Sequence, residues 1–244
     1  MLANKSVLLV GGLNSAGLAI LDQLLEYGAR IIVIDDEEKL DQYSDNPKYS
    51  TITFVNGKLS DADELGSSLE DKMPSIPLLQ GVVFASGAGG VRPLSLSKPQ
   101  RVREMFEANC ACFIEVMRLL LRKKKLEEGA SVVAISSISS ILGLKSKLAY
   151  AVSKAALNAA VRNIAAELAP RRIRVNTILK GPMTIDYDLE HISNLTQLGS
   201  EVKSKNALGD STPDDLGNLV CFLISDMVQT MTGTEIKLDG GYSL

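Results

Sequence analysis

The stretch KSVLLVGGLNSAGLAILDQLL, residues 5–25, decides the fold. An apolar run of strand length passes through a glycine-containing turn into a segment with helical spacing. Such a turn aims backbone N–H groups and the positive end of the helix dipole at an anion. The next apolar run, residues 30–35 (RIIVID), ends in Asp35, eighteen residues past Gly17. At that interval, in nucleotide-binding β-α-β units, a carboxylate accepts hydrogen bonds from an adenosine ribose. Asp36 is alternatively the cap of a following turn.

Working outward, the same alternation continues to the end of the chain. Residues 80–85 (QGVVFA), 130–136 (ASVVAIS), 173–179 (IRVNTIL) and 234–238 (TEIKL) read as strands, and 51–55 (TITFV) as a weaker one. These runs are mostly continuous rather than alternating, as strands covered on both faces require. Helical patterns lie near residues 15–28, 61–72, 98–122, 150–168 and 213–225. In the fourth of these, Leu157, Val161, Ile164 and Leu168 form one apolar stripe, and Pro170 stops it. Repeated β-α units predict an α/β fold, a doubly wound parallel sheet of about seven strands with helices on both faces. No repeat or linker interrupts the chain, so residues 1–244 are expected to be one domain.

Composition bounds the function classes. With 26 Lys+Arg against 29 Asp+Glu, the formal net charge is −3, which leaves no electrostatic footprint for nucleic acid or an anionic membrane. At 45% hydrophobic and 23% charged, the chain is ordinary for a globular protein. No apolar run approaches the roughly 18 residues of a membrane-spanning helix. The first residues run into glycines rather than a cleavage site, so no signal peptide is expected. Cys110, Cys112 and Cys221 form no CxxC pair and are expected as small buried residues in a reducing, cytoplasmic setting. No metal site is expected. The basic run at residues 122–125 reads as a solvated helix end.

A second signal is Tyr150-Ala151-Val152-Ser153-Lys154. Residues four apart share a helix face, so phenol and ammonium can point at one ligand. A phenol titrates near 10, too high for a base at neutral pH, and a neighbouring cation favours the phenolate. The pair follows a strand ending in Ser136-Ser137-Ile138-Ser139, whose hydroxyls face the ligand crevice of an α/β sheet.

These residues carry a resemblance. From VLLVGG through Asn109, ISSIS, YAVSK, RRIRVNTILKGPM and STPDDLGNLVCFLISD to TGTEIKLDGG, the whole chain resembles the single-domain branch of the short-chain dehydrogenase/reductases. It is similar in pattern to 3-oxoacyl-carrier-protein reductases and related alcohol dehydrogenases. The resemblance implies a Rossmann-type fold and alcohol–ketone interconversion with a nicotinamide cofactor. Tyr150 then matches the general acid/base, and Lys154 the residue that lowers the phenol pKa and holds the nicotinamide ribose. Ser137, 13 residues before Tyr150, matches the hydroxyl that polarises the carbonyl, with Ser136 structural. Asn109 matches the asparagine that positions a water in the proton relay.

The implied cofactor-binding residues are Gly11, Asn14, Ser15, Gly17, Asp35, Leu59, Ala85, Ser86, Gly87, Tyr150, Lys154, Gly181 and Met183. Several depart from the family pattern. Ser15 stands at the middle glycine of the turn, and an alignment starting at Gly12 leaves a one-residue gap. Phe84-Ala85-Ser86-Gly87 replaces Asn-Asn-Ala-Gly, Lys58-Leu59 replaces an Asp-Val that contacts adenine, and Lys180 replaces a proline. Asp35 would repel a 2′-phosphate, and the glycine turn holds no arginine or lysine to offset it. NAD(H) is therefore expected over NADP(H), with Lys58 the cation that could reverse the preference.

Substrate recognition is expected from residues 183–210, where Asp186, Tyr187, Asp188, Glu190 and the single histidine, His191, cluster. Those acids disfavour anionic carriers and fit neutral sugars, polyols or small alcohols. The family usually forms homodimers or homotetramers through helices corresponding to residues 98–122 and 150–168. Two rival readings are an NADPH-dependent 3-oxoacyl reductase and a non-catalytic nucleotide-sensing or structural protein on the same fold.

Overall fold

Seven strands, the central five mostly buried, form one parallel sheet in this computed structural model, which describes residues 1–184 and 206–244. The strands are β1 (Ser6–Val10), β2 (Arg30–Asp35), β3 (Thr53–Asn56), β4 (Leu79–Phe84), β5 (Leu126–Ser137), β6 (Arg174–Lys180) and β7 (Glu235–Leu238). Their order is β3-β2-β1-β4-β5-β6-β7. The central strands lack the alternation of a half-exposed sheet because helices cover both faces.

The helices follow from their caps and apolar stripes. They are α1 (Ser15–Glu26), α2 (Glu37–Tyr43), α3 (Ala62–Glu70), α4 (Pro99–Phe106), α5 (Cys112–Arg122), α6 (Leu148–Leu168) and, after the gap in the described residues, α7 (Pro213–Ile224). Asn14 caps α1 and Asp61 caps α3. At α7, Thr212 and Asp215 form a reciprocal capping box with Pro213 in the first turn. One core layer joins Leu8, Phe84, Phe113, Val132 and Leu157, and the other joins Leu9, Ile20, Val33, Val133 and Val220. The stripe expected on α6 is there: Leu157, Val161 and Leu168 are buried and Ile164 packs against the same layer.

Two details differ from the sequence expectation. Residues 98–122 are not one regular helix, because a π-turn at Glu107–Ala111 separates α4 from α5. Helix α2 carries no expected signal, since only Leu40 of EEKLDQY is buried. The basic run ends α5, where Arg122 and Lys123 pair with Glu70 of α3. All three cysteines are buried and free. Among the described residues no helix is long and apolar enough to cross a membrane. Asp186, Tyr187, Asp188, Glu190 and His191 lie outside the described residues.

The strand order reverses between β1 and β4. A crevice therefore opens beyond the carboxyl ends of the central strands, where ligands of such sheets bind. Val10, Phe84, Ser137 and Lys180 end four adjacent strands, so the segments following them converge on that crevice.

Candidate active site

The first wall is the glycine turn. Gly11 has φ +77°, and a Cβ there would fall 2.5 Å from the Ser86 backbone, so only glycine lets β4's exit lie against the turn. A Cβ on Gly17 would fall 2.3 Å from the Gly11 carbonyl oxygen, so α1 starts in direct contact with the turn. Asn14 locks the assembly. Its Oδ1 accepts Gly17 N–H at 2.9 Å, while Nδ2 donates to Gly11 O at 2.8 Å and Ala85 O at 3.0 Å. Ser15 opens α1 and faces the cavity beside Asn14.

The second wall is the exit of β4. Phe84 is core, packed edge-on against Phe113 with ring centroids 5.4 Å apart, so the departure at this position serves packing. Ala85, Ser86 and Gly87 line the cavity. A Cβ on Gly87 would meet Asn109 Oδ1 at 2.6 Å and Lys154 Nζ at 3.0 Å. Asn109 is fully buried in the π-turn, a feature that recurs at functional sites. Its Oδ1 accepts Ala88 N–H at 2.7 Å, and its Nδ2 donates to Ala88 O at 2.9 Å and Ser153 Oγ at 2.8 Å.

The third wall brings together Ser137, Tyr150 and Lys154, all lining one cavity of ≈ 550 Å³. Ser137 is held by its own turn, accepting Ser139 N–H on Oγ at 3.1 Å. Ser136 lines the same cavity and donates to Lys154 O at 3.3 Å, a structural bond. Lys154 is only 4% exposed and donates to Ile135 O at 2.9 Å. Burial pulls its pKa down to about 8, with the neighbouring Lys180 pushing the same way and Cys110 opposing. Its ammonium lies 5.9 Å from the Tyr150 ring centroid.

Of the remaining expected residues, Gly181 lines the cavity, while Asp35, Leu59 and Met183 do not. Gly181 follows β6, and a Cβ there would fall 2.6 Å from Asp239 Cα. Met183 is fully buried in the core layer beneath. Asp35 stands at the end of β2 with its carboxylate wholly buried, accepting Leu13 N–H at 2.8 Å. Leu59 is buried, and its N–H is taken by Asp36 Oδ1 at 3.0 Å. Lys58 pairs with Glu64 at 2.7 Å.

Three cavity residues lack a sequence-level role. Lys147, one helical turn before Tyr150, places Nζ 5.7 Å from that ring's centroid, and the i, i+3 spacing is the signal that could have found it. Lys180 pairs in register with Ser137 across β5 and β6, which only strand alignment reveals. Tyr242 reaches the cavity from the C-terminal segment, with no local signal.

A family model described as enoyl-(acyl carrier protein) reductase matches residues 11–243. L-rhamnose 1-dehydrogenase (NAD(P)(+)) of Azotobacter vinelandii is 25% identical over 252 residues, covering 99% of this chain and 97% of that protein. Among solved structures, a short-chain dehydrogenase family protein of Francisella tularensis superposes with a TM-score of 0.85 at 23% identity, covering 99% of both chains. 4-Hydroxyisoleucine dehydrogenase, complexed with NADH, superposes at 0.86 with 24% identity, covering 98% of this chain and 99% of that one. On its strand order and this whole-length match, the chain belongs to the short-chain dehydrogenase/reductase family, oxidoreductases that act on CH–OH groups.

Proposed function

We propose that the protein interconverts a secondary alcohol and a ketone by hydride transfer, with NAD(H) preferred over NADP(H). One observation carries the reading: Ser137 and Tyr150 face a single cavity above a buried, Ile135-anchored Lys154. Asn14, Ser15 and Ala16 at the start of α1 line the cavity, which supports a dinucleotide phosphate bound there. Gly11, Asn14, Ser15 and Gly17 would hold the pyrophosphate; Ala85, Ser86, Gly87, Tyr150 and Lys154 the nicotinamide riboside; Gly181 and the Met183 backbone the carboxamide. The bound nicotinamide supplies or takes up the hydride.

The chain's own residues then handle the proton. Tyr150 exchanges it with the substrate oxygen, and Ser137 Oγ donates a hydrogen bond to that oxygen as charge develops on it. With a pKa of about 8, Lys154 is mostly an ammonium at neutral pH and favours the tyrosinate. Asn109 fixes the Ala88 backbone and the π-turn, the positioning role in the relay. Neutral hydroxyl compounds are the proposed substrates, met by the segment near residues 183–210.

The NAD(H) preference rests on the consecutive carboxylates Asp35 and Asp36 at the end of β2. Residues 1–244 form one dinucleotide-binding and catalytic domain. Exposed Phe106, Ile114, Leu148 and Val152 on or beside α4, α5 and α6 support a homodimer or homotetramer, testable by light scattering. Three free cysteines fit a cytoplasmic enzyme.

Calorimetric titration with NADH and NADPH tests cofactor binding, followed by turnover assays of Tyr150→Phe. Tyr150→Phe is expected to keep NADH affinity and lose turnover by about 10²–10⁴-fold, the range for a general acid/base. Turnover retained in this variant removes the tyrosine from the mechanism. Binding of neither dinucleotide favours the sensor or structural role.

A further inference from the structure

Two cavities meet at Tyr150, and their walls carry one sign of charge. Lys147, Lys154 and Lys180 line the main cavity, and no aspartate or glutamate does so among the described residues. A side cavity of ≈ 180 Å³ shares Lys147 and Tyr150 with it and adds Arg92 and Arg101, again without an acid among the described residues. Dinucleotide binding and proton transfer, as proposed above, use neither arginine.

The side cavity is built where two distant segments join. Arg92 N–H, in the loop after β4, donates to Ser146 O in the turn before α6 at 2.8 Å. Ser97 Oγ braces the loop by donating to Pro93 O at 3.0 Å. Ser146 has φ +62°, uncommon for a residue with a Cβ, and strain of this kind collects at ligand sites. Arg101, in the first turn of α4, donates to Gly89 O at 3.3 Å and pairs with Glu104 at 3.2 Å. The Arg92 guanidinium makes no hydrogen bond or ion pair among the described residues. An oxyanion here meets two guanidinium forks and an ammonium, the donors that bind carboxylate and phosphate oxygens most strongly. It also offsets like-charge crowding at the site, where Lys180 pushes against the Lys154 ammonium.

We propose that the substrate carries a compact oxyanion, a carboxylate or a phosphate, held in this side cavity by Arg92, Arg101 and Lys147 while its alcohol or ketone carbon meets Tyr150. The proposal rests on the alcohol–ketone reading and replaces its neutral substrate. That substrate was drawn from acids at residues 186–190, outside the described residues, whereas these cations border the reacting group itself. Because the side cavity begins at Tyr150, the anion stands a few bonds from the reacting carbon, as in a short hydroxy acid or a hydroxyalkyl phosphate.

The test is calorimetric titration of the protein loaded with NADH or NADPH, whichever it binds more tightly. The ligands are 3-hydroxybutyrate, the phosphate monoester of butane-1,3-diol and the neutral diol. A reduced dinucleotide cannot oxidise an alcohol, so the heat reports binding alone. The wild type is expected to bind an anionic alcohol about tenfold or more tighter than the diol, the lower end for hydrogen bonds to a charged group. The tighter of the two anions identifies the oxyanion. Arg92→Gln combined with Arg101→Gln is expected to erase that preference. Dinucleotide affinity and the unfolding midpoint should not change, since the Arg101–Glu104 pair is partly exposed. Arg92→Gln alone is expected to lose part of the preference, and it decides the matter should the double variant fail to fold. A diol bound as tightly as both anions overturns the proposal, as does a preference that survives in the variants. No measurable binding of either anion to the loaded protein overturns it too, and leaves the reaction reading standing. Protein that binds neither dinucleotide overturns the cofactor reading and this proposal with it.

Discussion

Replacing Asn14 by alanine removes three contacts that hold the glycine turn, α1 and β4 together: the cap on Gly17 N–H and the two donations to Gly11 O and Ala85 O. Loss of an asparagine cap costs about 1 kcal/mol. Each neutral hydrogen bond contributes about 1 kcal/mol net. The variant is therefore expected to lose about 3 kcal/mol of unfolding free energy. At roughly 2–4 °C per kcal/mol for a chain of this size, the melting point falls by about 6–12 °C. Urea denaturation of wild type, Asn14→Ala and Asn14→Ser measures it, and the serine variant separates the terms. Serine can still cap α1 but cannot make both donations, so it should lose about 2 kcal/mol. An alanine variant within about 0.5 kcal/mol of wild type would refute the reasoning, because surface changes remote from any contact fall in that range. A serine variant equal to wild type would show that the ties to Gly11 and Ala85 contribute nothing.

Two further outcomes are expected. Gly17→Ala places a Cβ 2.3 Å from the Gly11 carbonyl oxygen; α1 must shift off the turn, costing about 1–3 kcal/mol and weakening NADH binding at least tenfold by calorimetry. Lys154 has a folded pKa of about 8 against an ordinary 10.5, so folding favours its neutral form. The cost of burying the ammonium is fully present below pH 8 and disappears as pH rises to 10.5. Wild type should therefore gain stability on Lys154→Met by up to about 3 kcal/mol across that window; a flat difference in urea unfolding between pH 7 and 10.5 would contradict it.

Much of the site is legible because strand ends and helix faces are periodic. The spacing of Tyr150 and Lys154 on α6 and of Ser137 before them puts all three on one cavity. The same reading does not show the π-turn around Asn109, because residues 98–122 carry ordinary helical composition. What holds that turn is a set of bonds from Asn109 to Ala88 and Ser153, 21 and 44 residues away. Nor does it show that Lys180 lies opposite Ser137, which depends on the register of β5 against β6.

By itself the sequence determined the order of β-α units, the parallel sheet and the helix that carries Tyr150 and Lys154. Burial periodicity and the distance along the chain are one-dimensional quantities, and they suffice for these. Only the tertiary structure decided which of two adjacent carboxylates is sealed and which is presented. Asp35 and Asp36 are chemically identical in the sequence. They part because Leu13 and Lys39 close around the first, while the second accepts Leu59 N–H and stays partly exposed.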